Sequence, residues 1–132
     1  QYEAKDFGPY AKNLRQVLIR LEKHYTQGYG DGKDNPTKTI ELLPGAVDEA
    51  ETFLKDDEVI RQRMDRVAEL IEGFEDPYGL ELLSWVHWVM RENAEARESS
   101  ESAAAAVHKW NPRKRRVMKK EHLLKAWQRL KE

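Results

Sequence analysis

The sequence predicts a mainly α fold: a compact bundle of about six helices, with a small N-terminal two-stranded β ladder as an optional addition. Three observations carry this expectation. Apolar residues recur at three- and four-residue spacings along most of the chain. Residues suited to helix ends fall between these stripes, among them Pro44, Gly73 and the Asp76-Pro77 pair. One segment, "YGLELLSWVHWVMRE", is apolar nearly all round, as the buried centre of a helical domain is.

The elements follow in order. Tyr10, Leu14, Val17, Leu18, Leu21 and Tyr25 form the first helical stripe. The stretch "HYTQGYGDGKDNP" (24–36) ends that helix, with Gly28 as the left-handed residue past its C-terminus and Asp31-Gly32 and Asn35-Pro36 as turn dipeptides. The segment "TKTIELL" alternates, with Ile40 and Leu42 on one side, and is matched with "YEAKDF" (Tyr2 and Ala4 on one face) as the ladder. Pro44 opens the next helix, with Asp48 and Glu49 near its positive end and Ala46, Ala50, Phe53 and Leu54 as its stripe. Ile60, Met64, Val67, Ala68 and Ile71 mark a further helix, stopped at Gly73. Asp76 caps the central helix and Pro77 begins it. "ARESSESAAAAVHKW" reads as a linker followed by a helix capped by Ser99 or Ser100, and "NPRKRRVMKK" as a basic connection. Leu123, Leu124, Trp127 and Leu130 give a last amphipathic helix. The chain holds no internal repeat.

Composition bounds the function. A length of 132 residues fits one domain, residues 1–132, with a core built from a 39% hydrophobic fraction that includes four tryptophans. Mean hydropathy of -0.87 and 36% charged residues describe a heavily solvated surface. No apolar run approaches the roughly 20 residues a membrane span needs, and no signal peptide is visible. The lack of cysteine excludes a disulfide scaffold and thiolate zinc sites. A cytoplasmic protein is expected. The chain starts at Gln1, without an initiator Met and amid structured-looking sequence, so a fragment of a longer protein is expected too. Its net charge of -1 hides a polarity: residues 41–101 carry 17 acidic and 6 basic side chains, a balance of -11, whereas 102–132 carry 10 basic and 2 acidic, a balance of +8. Such a chain either pairs internally or presents separate faces to partners.

Candidate chemistry is thin. Read as a calcium loop from Asp31, the stretch 24–36 places Lys33 at position 3 and Pro36 at position 6, which fails, and it has no phosphate-loop Gly-Lys-Ser/Thr. It is an ordered connection, or a partner-contacting loop in which Tyr29, Asp31 and Asp34 form a protruding polar-aromatic patch. His87, between Trp85 and Trp88, has Leu83 and Arg91 one turn away, so a hydrogen-bonded core histidine is expected rather than a metal ligand. His24, His108 and His122 are isolated from one another in sequence. Glu75, Asp76 and Glu81 gather at a helix start, but capping explains Asp76, and no activated nucleophile stands near. The run "KWNPRKRRVMKK", with Trp110, has the composition of a nucleic-acid patch or of plain solvated surface.

Taken together, "FGPYAKNLRQVL", "HYTQGYGDGKDNP", "ELLPGAVDEAETFL" and "LIEGFEDPYGLELLSWVHWVM" resemble the C-terminal domain of DarG antitoxins, and "KKEHLLKAWQRLKE" resembles its last helix. The resemblance covers nearly the whole chain from Tyr2 on. It implies a partner, the DarT-type toxin, which transfers ADP-ribose from NAD onto thymidine bases of single-stranded DNA. It also implies that DarG proteins remove the mark with an N-terminal macro domain and block the toxin with the C-terminal one. Nothing in the chain resembles the macro domain, so a non-catalytic, cofactor-free toxin binder is expected. A cationic groove for single strands could be occluded by carboxylates in place of phosphates and an aromatic in place of a base. The residues expected at such a face are Tyr29, Asp31, Asp34, Glu75, Asp76 and Tyr78. The alternative is an autoregulatory DNA-binding module that uses the basic C-terminal run.

Overall fold

The computed structural model describes residues 2–5, 8–30, 38–110 and 112–132. Their elements are β1 (Glu3–Lys5), β2 (Gly8–Tyr10), α1 (Lys12–Leu21), β3 (Thr26–Gln27), β4 (Glu41–Leu42), α2 (Ala46–Leu54), α3 (Glu58–Ile71), α4 (Pro77–Glu92), α5 (Ala94–Glu98), α6 (Ser100–Trp110), α7 (Pro112–Val117) and α8 (Lys120–Lys131). The mainly α class stands, with eight helices among the described residues. The two beyond the expected six are α5 and α7, short helices in what the sequence offers as linker and basic connection. No helix among the described residues is long and apolar enough to cross a membrane.

Backbone contacts group the chain into two compact units, one built on Ala11–Met64 and one on Glu3–Tyr10 with Asp65–Glu132. The second holds the core. Its centre is α4, which buries Leu82, Trp85, Val86 and Val89 and packs against α8, α6, α5 and β2. From the other helices come Ala96, Ala103, Val107, Leu123 and Ala126, and from the bend between α7 and α8 comes Met118. The apolar-all-round segment is therefore the hub the sequence predicts.

Helix ends in this unit follow their side chains. Asp76 Oδ1 accepts from the Gly79 N–H at 2.6 Å, with Pro77 as the first helical residue. Gly79 is dictated by space: a Cβ there would lie 2.6 Å from the Phe74 carbonyl oxygen. Asn93 caps α5 and the Ser99 hydroxyl accepts from Ser102 N–H at 3.3 Å, so of the two serines offered as caps, Ser99 is the one used. Gly73, at φ 82°, ends α3 as expected. The Arg129 guanidinium then takes up orphan carbonyls at that end, donating to Glu69, Leu70 and Glu72 at 3.1, 3.2 and 2.8 Å.

The expected ladder exists at the N-terminus with a different partner. β1 pairs antiparallel with β2, Glu3 opposite Tyr10, whereas "TKTIELL" supplies β4, which pairs with β3 through Thr26↔Leu42 and Gln27↔Glu41. Strands this short have too little periodicity to specify a partner, and the chain takes the local one in the first case.

The unit built on Ala11–Met64 buries little. Only Ala11, Thr26 and Ala46 are fully covered among its described residues. Helix α1 ends at Leu21 rather than at Tyr25, and Lys23 rather than Gly28 takes the left-handed residue beyond it, at φ 67°. Gly28, at φ 104°, serves a different need, because a Cβ there would stand 2.1 Å from the Thr39 carbonyl oxygen. Pro44 lies in the turn before α2, and Gly45 at φ 83° is the residue that caps it. The predicted stripe of α2 is only partly inward: Ala46 is buried, but Phe53 is 86% exposed.

Candidate functional site

The loop that begins at His24 is held at its entrance. Glu22 turns both carboxylate oxygens onto it, accepting from the Gly28 and Tyr29 N–H groups at 3.1 Å each. Lys38 closes the other side, its Nζ donating to the Tyr29 carbonyl at 2.6 Å and standing 5.4 Å from the Tyr29 ring centroid. Tyr25 donates its hydroxyl to Glu49 Oε1 at 3.0 Å, and this carboxylate raises the phenol's pKa. Tyr29 is thus half-buried and fixed. Asp31 and Asp34 lie outside the described residues.

Glu75, Asp76 and Tyr78 belong to the other unit, so the six expected partner residues divide between the two. Glu75 and Asp76 are exposed at the start of α4. Asp76 spends one oxygen on its cap. Tyr78 faces inward: its hydroxyl meets His122 Nδ1 at 3.0 Å and lies 3.3 Å from the Val117 carbonyl, the two rings edge to face at 5.7 Å. The phenol ties α4 to the start of α8.

The histidines divide differently from expectation. His87 is exposed on α4, not a core residue; partial burial and then the charge of Arg91 hold its pKa below the usual value. The helix rotates Trp85 and Val86 inward instead, leaving position 87 on the wet side. His108 fills the satisfied-histidine role, donating Nε2–H to the Met118 carbonyl at 2.6 Å.

The basic run is partly spent inside the fold. Lys114 is fully buried, its Nζ 2.5 Å from Glu81 Oε1 and 4.7 Å from the Trp85 ring centroid. Arg113 joins the same carboxylate at 2.9 Å. Burial pushes the Glu81 carboxyl up, and the hydrogen bonds and charges of Arg113 and Lys114 outweigh it, so its pKa falls below the usual range. Lys120 pairs with Glu101. Lys109, Arg115, Arg116 and Lys119 remain exposed. Polarity between the acidic and basic halves is thus neutralised in part by pairing within one unit.

Sequence reasoning puts Phe53 on the apolar stripe of α2, and the signal of its exposure is visible in hindsight. In "DEAETFLKDDE" (48–58) six of eleven residues are acidic and one is aromatic, a poor pattern for a core face. The Glu81–Lys114 pair, 33 residues apart, has no periodic signature.

No protein-family model matches the chain. It is similar to a DNA ADP-ribosyl glycohydrolase of Thermus aquaticus, 46% identical over 113 residues, which is 86% of this chain and 30% of that protein. It is also similar to the proteins of that name from Mycobacterium tuberculosis and Mycobacterium bovis, each 37% identical over 116 residues, or 84% of this chain and 32% of the relative. The chain spans about a third of the length of the curated relatives it matches.

Proposed function

We propose that the chain is the toxin-binding domain of a DarG-type protein, holding a DarT-type DNA ADP-ribosyltransferase inactive by direct contact; the relatives it matches are named DNA ADP-ribosyl glycohydrolases. The observation that carries the reading is the extent of the match, most of this chain against less than a third of each relative. No hydrolase chemistry is assigned to this chain. Its most chemistry-like groups have other work: Asp76 caps α4, Glu81 neutralises two cations, and Tyr78 and His122 bind each other.

The mode proposed is occlusion of the toxin's single-stranded DNA groove by carboxylates standing in for phosphates, Glu75 and Asp76 in one unit and Asp31 and Asp34 in the loop sequence of the other, with Tyr29 as the aromatic; Tyr78, the second aromatic the sequence offers, is turned to His122. The strongly negative balance of residues 41–101 supports it, together with the exposure of Glu75 and Asp76. Titration calorimetry against a catalytically inactive DarT toxin, with and without a thymidine-containing single strand, tests the reading. Tight binding abolished by the strand is expected. Tight binding indifferent to the strand would move the interface away from the DNA groove, and no binding would refute the function. Charge removal at the four acids, with Asp76→Asn chosen to keep the cap, is expected to weaken binding; unchanged affinity would sink mimicry by these residues.

A further inference from the structure

Phe53 is the most exposed large apolar side chain among the described residues, at 86%. It stands in the last turn of α2, with Glu49 one helical turn before it on the same face and Asp56 following in the turn to α3. That turn is fixed, since Asp57 N–H donates to the Leu54 carbonyl and Asp57 Oδ1 accepts from Ile60 N–H, both at 3.0 Å. Ile60 and Met64, a helical turn apart, extend apolar surface along α3 and are 38% and 55% exposed. A helix stripe at this spacing ordinarily faces a core, yet α3 buries no residue completely. Around it the segment 46–64 carries six carboxylates against three cations, all on exposed residues.

We propose that this surface is the anchor of a protein interface: Phe53 enters an apolar pocket on the partner, Ile60 and Met64 flank it, and the acidic collar of Glu49, Glu51 and Asp56 meets lysines and arginines around that pocket. The inference rests on the toxin-binding reading above and names a surface that reading does not use. An aromatic knob desolvated at the centre, with charges at the rim, is how interface energy concentrates. The collar fixes the partner's chemistry, because an acidic or neutral rim would leave Glu49, Glu51 and Asp56 facing no compensating charge. The same contact gives the sparsely buried unit its missing apolar cover, so residues 46–64 gain protection when bound.

The test compares the 132-residue chain with its Phe53→Ser and Asp56→Lys variants by calorimetry against inactive DarT, with thermal unfolding of each. At 86% exposure the Phe53 ring contributes nothing to the fold, so an unchanged Tm is expected. Phe53→Ser is expected to weaken binding about 30-fold or more, and Asp56→Lys to weaken it with a flatter salt dependence. Amide exchange is expected to slow over 46–64 in the complex. Wild-type binding that Phe53→Ser leaves intact overturns the surface and spares the function. Absence of wild-type binding overturns both. A chain that self-associates until Phe53→Ser disperses it would assign the surface to a second copy and overturn the partner.

Discussion

Lys114 reaches Glu81 across 32 intervening residues and loses all its exposed surface in doing so. An ammonium without water costs several kcal/mol unless an anion and further contacts compensate it. Here Glu81 supplies the anion and the Trp85 ring, 4.7 Å away, a second stabilising face. The pair pins α7 to the centre of the core, and it takes from the basic run the very charges that make it look like a nucleic-acid site.

Glu81→Gln is therefore expected to destabilise the chain by about 3–5 kcal/mol, because it strands a buried cation. Replacing both partners, as Glu81→Leu with Lys114→Met, is expected to cost much less. Urea unfolding of the two variants measures it. A single variant no worse than the double would show that the ion pair contributes nothing.

The same group sets an acid limit. The Glu81 pKa is lowered in the folded chain, its partners outweighing burial. Its stabilising contribution is thus complete above the unfolded value, roughly 4.3, and is lost as pH falls through the folded pKa. Stability measured from pH 7 downward is expected to fall more steeply in the wild type than in Glu81→Gln within that acidic window. Parallel curves would contradict the assignment.

Gly79→Ala reverses an ordinary rule. Within a helix, alanine is better than glycine by about 1 kcal/mol. A Cβ at this position would lie 2.6 Å from the Phe74 carbonyl oxygen and 2.8 Å from its Cα, and backbone cannot swing aside as a side chain can. A loss of about 1–3 kcal/mol is expected, read as a lower urea midpoint. A gain would mean that the turn before α4 relaxes freely.

These residues also mark how far sequence reaches. The hub helix, the Asp76 cap and the α8 stripe are legible because local chemistry and tertiary use agree there. The stripe over Ile60, Met64 and Val67 is legible as a helix, but its exposure is not, since periodicity says which face is apolar and not whether anything covers it. His87 looks buried from its tryptophan neighbours, yet adjacent helical positions diverge by about 100°. Strands of two or three residues give no register signal, so their partners emerge only in three dimensions. Of the six expected partner residues, Tyr78 is the one whose hydroxyl is tied to another helix, a contact 44 residues distant in sequence.

The remaining basic side chains make a last, quantitative prediction. Lys114 and Arg113 are committed to Glu81, and Lys120 to Glu101. The other exposed cations of the run are Lys109, Arg115, Arg116 and Lys119. Four phosphate contacts give a salt slope of only about -3.6 in log K against log salt. The chain is therefore expected not to retard duplex DNA in a mobility assay at about 150 mM salt, where the acidic segment 41–101 also repels the polyanion. Retardation with a slope well beyond that value would require Arg113 and Lys114 to leave Glu81 for phosphate, and it would make the DNA-binding alternative the better account of the C-terminal run.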